Sequence, residues 1–204
     1  MLFRSIQELI ADVDRRLRDE LHARGMTLLL DVVLNHVAFD APLTRAHPDW
    51  FHHQGNIEDW NDPRQLTERD VMGLPDLAQE REEVYRYLRD AVLGWLKEVE
   101  PDGLRLDAVK HIGLPFWARL SADLHSVRPD LVLLGELLDG RASAVEQTMR
   151  LGHLDTMFDF PLHFAMVDVF CKGAHPGRIA AVYGQDRLYA HPERLVTLLE
   201  GGGQ

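Results

Sequence analysis

Three short polar clusters break otherwise apolar stretches of the chain: Asp31-Val-Val-Leu-Asn-His36, Gly103-Leu-Arg-Leu-Asp-Ala-Val-Lys-His111 and Leu134-Gly-Glu-Leu-Leu-Asp139. Asp107 and Glu136 are one strand–helix unit apart in the pattern read below, so they fall on successive strands. Neighbouring strands run about 4.8 Å apart. Carboxyls held about 5–5.5 Å apart suit cleavage of a glycosidic bond through a covalent intermediate, whereas inversion through a water needs roughly 6.5–9.5 Å. The spacing therefore favours a nucleophile paired with an acid/base. Arg105 lies two residues before Asp107. That puts both on one strand face and sets a cation beside a carboxylate that has to act as an anion. Glu136 needs the opposite tuning, a raised pKa, to protonate a leaving oxygen.

Each residue has a plainer reading. A lone Asp at a strand end is more often a helix cap, and a His after a strand is usually structural. Trp50, Phe51 and Trp60 read as core residues rather than sugar platforms, and His47, His52 and His53 match no zinc spacing and read as loop residues. The order His, then Arg-x-Asp, then Glu, each at the end of an apolar run, tips the balance toward chemistry.

The elements that must position these residues follow from periodicity. Ser5 and Glu8 form a capping box, and Ile6, Leu9, Ile10, Val13 and Leu17 recur at helical spacing up to Arg24-Gly25. Met26–Leu34 is an apolar run interrupted by Asp31, the signature of a strand buried on both faces. Helices then alternate with strands. Helices are predicted near 80–99, 114–127, 142–151 and 161–183, and strands near 103–107, 131–136, 154–160 and 194–199. This alternation predicts an α/β fold with parallel strands. A (β/α)8 barrel and an open doubly wound sheet both fit it, although no Gly-rich phosphate loop follows any strand. In either fold the strand ends converge on one rim. Residues 37–77 have no clear period and read as a small subdomain inserted after the first strand, since a loop this long is usually functional.

Composition narrows the partners. With 33 acidic against 22 basic side chains and a net charge of -11, nucleic acid is disfavoured, because phosphate binding needs a basic face. No apolar run approaches the roughly 18–20 residues of a membrane span. The single cysteine, Cys171, excludes an internal disulfide and fits a reducing, cytoplasmic compartment. The start lacks a signal-peptide core, but it reads like the middle of a domain, so a leader in the parent protein stays open.

Taken together, the clusters resemble the signatures of the alpha-amylase family of glycoside hydrolases. DVVLNH resembles the first, at the end of the third barrel strand; GLRLDAVKH resembles the second, GELLDG the third, and LPDL at Leu74–Leu77 the short motif near the end of the inserted domain. The resemblance implies a partial (β/α)8 barrel made of residues 1–36 and 78–204 around the insert 37–77, acting on an oligo- or polysaccharide. It implies Asp107 as nucleophile, Glu136 as acid/base and Arg105 as the orienting group. His36 and Asp31 join the substrate-binding set, and Lys110 and His111 line the leaving-group side. Asn35, Asp76 and the His111 carbonyl match the positions that bind calcium in some members. The family's fourth signature, with a His and an Asp, has Gly201-Gly-Gly in its place, and the first two strands and the last are expected to be missing. The polypeptide alone is therefore expected to turn over starch negligibly. Two rival readings remain: a transglycosylase or isomerase of the same family, and a non-catalytic remnant.

Overall fold

The computed structural model describes residues 6–198. The expected cap Ser5, the side chains of Glu8, Ile6, Leu9 and Ile10, and Leu199 with the glycines at 201–203 lie outside the described residues. The order is α1 (Ile6–His22), β1 (Leu29–Val32), α2 (Pro42–Ala46), α3 (Pro63–Glu68), α4 (Glu82–Glu98), β2 (Gly103–Leu106), α5 (Leu114–Val127), β3 (Val132–Gly135), α6 (Ala142–Gly152), β4 (Thr156–Phe158), α7 (Phe160–Phe170), α8 (Gly177–Tyr183) and β5 (Leu195–Val196).

The five strands among the described residues are all parallel and lie in chain order, β1-β2-β3-β4-β5. That order separates the two architectures the sequence allowed. A doubly wound sheet reverses direction at a switch point. Here every crossover advances the same way, and right-handed crossovers then lay all the helices on one face, as in a barrel wall.

The register divides the two faces. Leu104, Leu106, Leu133, Val32 and Met157 point to the helices and are at most 1% exposed. They meet Val84, Leu88, Val92 and Leu96 of α4, one every turn, and Trp117, Leu120 and Leu124 of α5. Burying each such side chain contributes roughly 1.5–3 kcal/mol. The opposite face carries Asp31, Arg105 and Leu134 in one layer, since these residues pair across the ladder. Asp107 and Glu136 form the next layer. Val33, Val132 and Val196 also lie on this face and are 44%, 39% and 38% exposed.

Gly103 opens the layer below Arg105. A Cβ there would meet the Val132 carbonyl oxygen at 2.5 Å and Val132 Cβ at 3.0 Å, and the backbone of β3 cannot step aside. Gly103→Ala is expected to destabilise the fold by about 1–3 kcal/mol, seen in urea unfolding as a lower midpoint with an unchanged slope. An unchanged midpoint would mean that β2 and β3 separate freely at this point.

The helix expected over 161–183 is two helices. Gly173 takes φ 70° and Pro176 precedes α8; a left-handed glycine followed by a proline ends a helix. The aperiodic stretch 37–77 holds two short α-helices and a 3-10 turn, each begun by a proline (Pro42, Pro63 and Pro48), a residue whose fixed φ suits the first helical turn.

Candidate active site

Hydrogen bonds beyond the strands hold the two acids in register. Asp107 N–H donates to Val32 O (3.0 Å), Glu136 N–H to Leu106 O (2.9 Å) and Val109 N–H to Glu136 O (3.0 Å). Ala108 follows Asp107 in the left-handed region (φ 49°, ψ 41°), a conformation that costs a non-glycine residue about 1 kcal/mol or more. It turns the chain into a short 3-10 segment, Val109–His111.

Arg105 joins the acids. Its Nη1 donates to Asp31 Oδ1 (2.6 Å) and to Asp107 Oδ1 (2.7 Å), and its Nη2 pairs with Glu136 Oε2. The side chains of Arg105, Asp107 and Glu136 are each about one-fifth exposed, against 63% for Asp31. Asp31, expected among the substrate-binding residues, is thus placed one layer below the two acids, against the guanidinium. Burial raises the Glu136 pKa; Arg105 pulls it down, and the adjacent Asp107 carboxyl pushes it up again. Burial also works against the charge of Arg105, but Asp31, Glu136 and Asp107 together hold its pKa above the ordinary value.

His36 is half-buried beside this cluster. Burial lowers its pKa and the charge of Asp107 opposes that, so the neutral imidazole is favoured. The chain before it is pinned by Gln79, whose Nε2 donates to Leu34 O (3.2 Å) and Asn35 O (3.0 Å). Gln79 is 5% exposed. Nothing in the sequence singled it out, because an amide next to an apolar run carries no sign of its partner.

The expected calcium residues are brought together in part. His36 and Asp76 pair across a single antiparallel bridge, and Leu77 N–H donates to Asn35 O (2.9 Å). Asn35 Oδ1 and Asp76 Oδ1 are both buried without a hydrogen-bond partner. Buried oxygens are rarely left unmet, and a hard cation takes this kind of ligand. Among the described residues no group of three His, Cys, Asp or Glu side chains could hold a metal, so a cation here needs the Asn35 amide oxygen and backbone carbonyls. Burial raises the Asp76 pKa to about 6, opposed by His52. His52, expected as a plain loop residue, is clamped between Asp76 Oδ2 (2.6 Å) and Glu80 (3.1 Å).

Lys110 and His111 face the insert. His111 Nδ1 lies 2.9 Å from Leu66 O, and burial, first among several causes, lowers its pKa. Of the three aromatic residues expected in the core, Phe51 is 6% exposed and Trp50 packs against the core. Trp60 does neither: it is 48% exposed, with Lys110 Nζ 5.6 Å from its ring centroid.

The family model for the alpha amylase catalytic domain matches residues 10–197. A beta/alpha-amylase from Paenibacillus polymyxa is 31% identical over 180 residues, which is 82% of this chain and 14% of the relative. An intracellular maltogenic amylase from Bacillus subtilis (strain 168) is 30% identical over 166 residues, 76% of this chain and 27% of the relative. Among solved structures, an alpha-amylase from Geobacillus thermoleovorans, complexed with acarbose, aligns with a TM-score of 0.85 at 35% identity over 93% of this chain and 43% of that one. The chain therefore spans less than half the length of these relatives.

Proposed function

Because this chain belongs to the alpha-amylase family, we propose that it carries the catalytic centre of a retaining glycoside hydrolase that cleaves α-glucosidic bonds of starch, maltodextrins or related oligosaccharides. The observation that carries this reading is the single guanidinium of Arg105 touching both Asp107 and Glu136, which fixes two carboxyls at the same end and on the same face of the sheet.

In this reading an Asp107 oxygen attacks the anomeric carbon while Glu136 gives its proton to the departing glycosidic oxygen. The glycosyl–oxygen bond to the aglycone breaks and an ester to Asp107 forms. Glu136, now a carboxylate, takes a proton from water. The water oxygen displaces Asp107, and net retention results. Burial of Glu136 supports the acid role, since it raises the pKa. Asp31 acts through Arg105 by holding its guanidinium against both acids. His36, Lys110 and His111 bind sugar hydroxyls. A second sugar in place of water would give transglycosylation with the same residues. The lone Cys171 and the intracellular relative support a cytoplasmic setting. Among the described residues no helix is long and apolar enough to cross a membrane.

The test is stereochemical. Stoichiometric protein is mixed with α-maltotriosyl fluoride, an activated substrate, and the first sugar released is observed by proton NMR. The α anomer is expected. A first-formed β anomer would sink retention, and fluoride left unconsumed by stoichiometric protein over days, long enough for a slowed chain to turn over once, would sink the hydrolase reading.

Two further outcomes are expected. Calcium at the Asn35 and Asp76 oxygens would bridge β1 to the end of the insert and stabilise that junction. At a hundred times its Kd it would contribute about 2.7 kcal/mol, or roughly 5 °C or more in Tm; Asp76→Ala would remove the rise. No calcium-dependent rise in the unaltered chain counts against the site. On maltodextrin, the polypeptide 1–204 is expected to be at least about 10²-fold slower than a full-length relative. Its five described strands form an open sheet with Val33, Val132 and Val196 exposed on the face that bears the two acids, and catalytic groups misplaced by about 1 Å lose that much rate. A reducing-sugar assay with rates near those of the relative would refute this.

A further inference from the structure

We propose that Trp117 is a positioning residue for the acid/base Glu136, acting through the backbone of Val109. This rests on the reading that Glu136 protonates a departing glycosidic oxygen. Trp117 stands near the start of α5 and is 1% exposed. Its indole Nε1–H donates to Val109 O (3.0 Å) in a buried bond. The N–H of that same residue donates to Glu136 O (3.0 Å). Val109, itself fully buried, thus joins the core indole to the backbone of the acid in two hydrogen bonds. A large apolar side chain could fill the same space, but only an indole brings an N–H donor into it.

The joint needs holding. Val109 follows Ala108, whose left-handed conformation (φ 49°, ψ 41°) persists only where its surroundings fix it. Val109 O also accepts from Ile112 N–H, at a longer 3.4 Å, so the indole supplies the shorter of these two bonds. The indole is firmly seated. Phe116 meets it edge to face at 5.4 Å and 86°, a Cβ at Gly152 of α6 would stand 3.4 Å from Trp117 Cβ, and the ring packs in the core with Leu120 and Leu124. Without the indole bond, Val109 is freer to turn and its grip on the Glu136 carbonyl slackens, so the carboxyl shifts with its backbone. Asp107 is fastened ahead of the strained residue, by its own N–H to Val32 O (3.0 Å) and by Arg105 Nη1 (2.7 Å). The loss therefore falls on the acid more than on the nucleophile.

The test compares two leaving groups on one sugar. Stoichiometric protein is incubated over days with nitrophenyl and phenyl α-maltotriosides. Nitrophenolate departs with little help, whereas the phenyl oxygen needs the proton that Glu136 gives. Trp117→Phe removes the donor, and Trp117→benzothienylalanine removes it while keeping the full bicyclic shape, which preserves the test if the phenylalanine variant fails to fold. Both are expected to cleave the phenyl substrate about tenfold more slowly than the unaltered chain and to stay within about threefold of it on the nitrophenyl substrate. Leu120→Ala, which opens a cavity in the same core and leaves the indole N–H in place, should slow the two substrates equally. Equal losses on both substrates in Trp117→benzothienylalanine, no loss at all, or a selective loss in Leu120→Ala as well, overturns the positioning role and leaves the proposed function standing. An unaltered chain that cleaves neither substrate overturns the proposed function, and the role of Trp117 with it.

Discussion

Asp107→Asn is expected to leave the fold intact and remove turnover of α-maltotriosyl fluoride by about 10⁴-fold or more, the scale on which enzymes lose rate when a group acting as a unit with its neighbours is removed. The amide keeps the size of the carboxylate and can still accept a hydrogen bond from Arg105, which the native Asp107 Oδ1 does at 2.7 Å. What it lacks is an anionic oxygen to attack the anomeric carbon. A second readout needs only one turnover. A 5-fluoro-α-glucosyl fluoride should esterify Asp107 and raise the intact mass by one fluorosugar, with the adduct mapping to the peptide that contains Asp107, whereas Asp107→Asn should gain no mass. A label on another residue, or a variant within tenfold of the original rate, would remove Asp107 from the nucleophile's role.

Glu136→Gln should separate two kinds of substrate. On maltodextrin, whose leaving oxygen must be protonated, the rate should fall about 10²- to 10⁴-fold. On α-maltotriosyl fluoride, where fluoride departs without a proton, formation of the ester should fall far less. The pH profile supplies the sign. Burial raises the Glu136 pKa, and acid catalysis needs the protonated form. Activity on maltodextrin should therefore persist above the ordinary carboxylate range and decline as pH rises through the raised pKa. In Glu136→Gln that alkaline limb should vanish. Equal losses on both substrates would instead make Glu136 a positioning group for Arg105.

The expected boundaries of α4 and α5 lie close to the observed ones, because one apolar position per turn and a terminal glycine or proline are local signals. The strands were harder to bound. The apolar run Met26–Leu34 contributes only Leu29–Val32 to the ladder, since a strand ends where its neighbour stops pairing, and the neighbour is far away in sequence. The helix expected across 161–183 breaks between Phe170 and Gly177, where Gly173 and Pro176 end it; the apolar content on either side masks that break in the sequence.

By itself the sequence determined the parallel α/β class, because buried runs alternating with amphipathic ones have few other ways to hide their apolar faces. It also determined that the polar clusters holding Asp107, Glu136, Arg105 and His36 sit at strand ends. Tertiary structure decided the rest. Strand order, which is a matter of long-range pairing, selected the barrel-type winding over the doubly wound sheet. Register set Asp31 against Arg105 and so placed it beneath the two acids. The orphaned oxygens of Asn35 and Asp76, the clamp on His52, the reach of Gln79 and the exposure of Trp60 each depend on groups that meet only after the chain between β1 and α4 folds back on the sheet. No periodicity encodes those meetings, because each joins a single pair of residues rather than a repeating face.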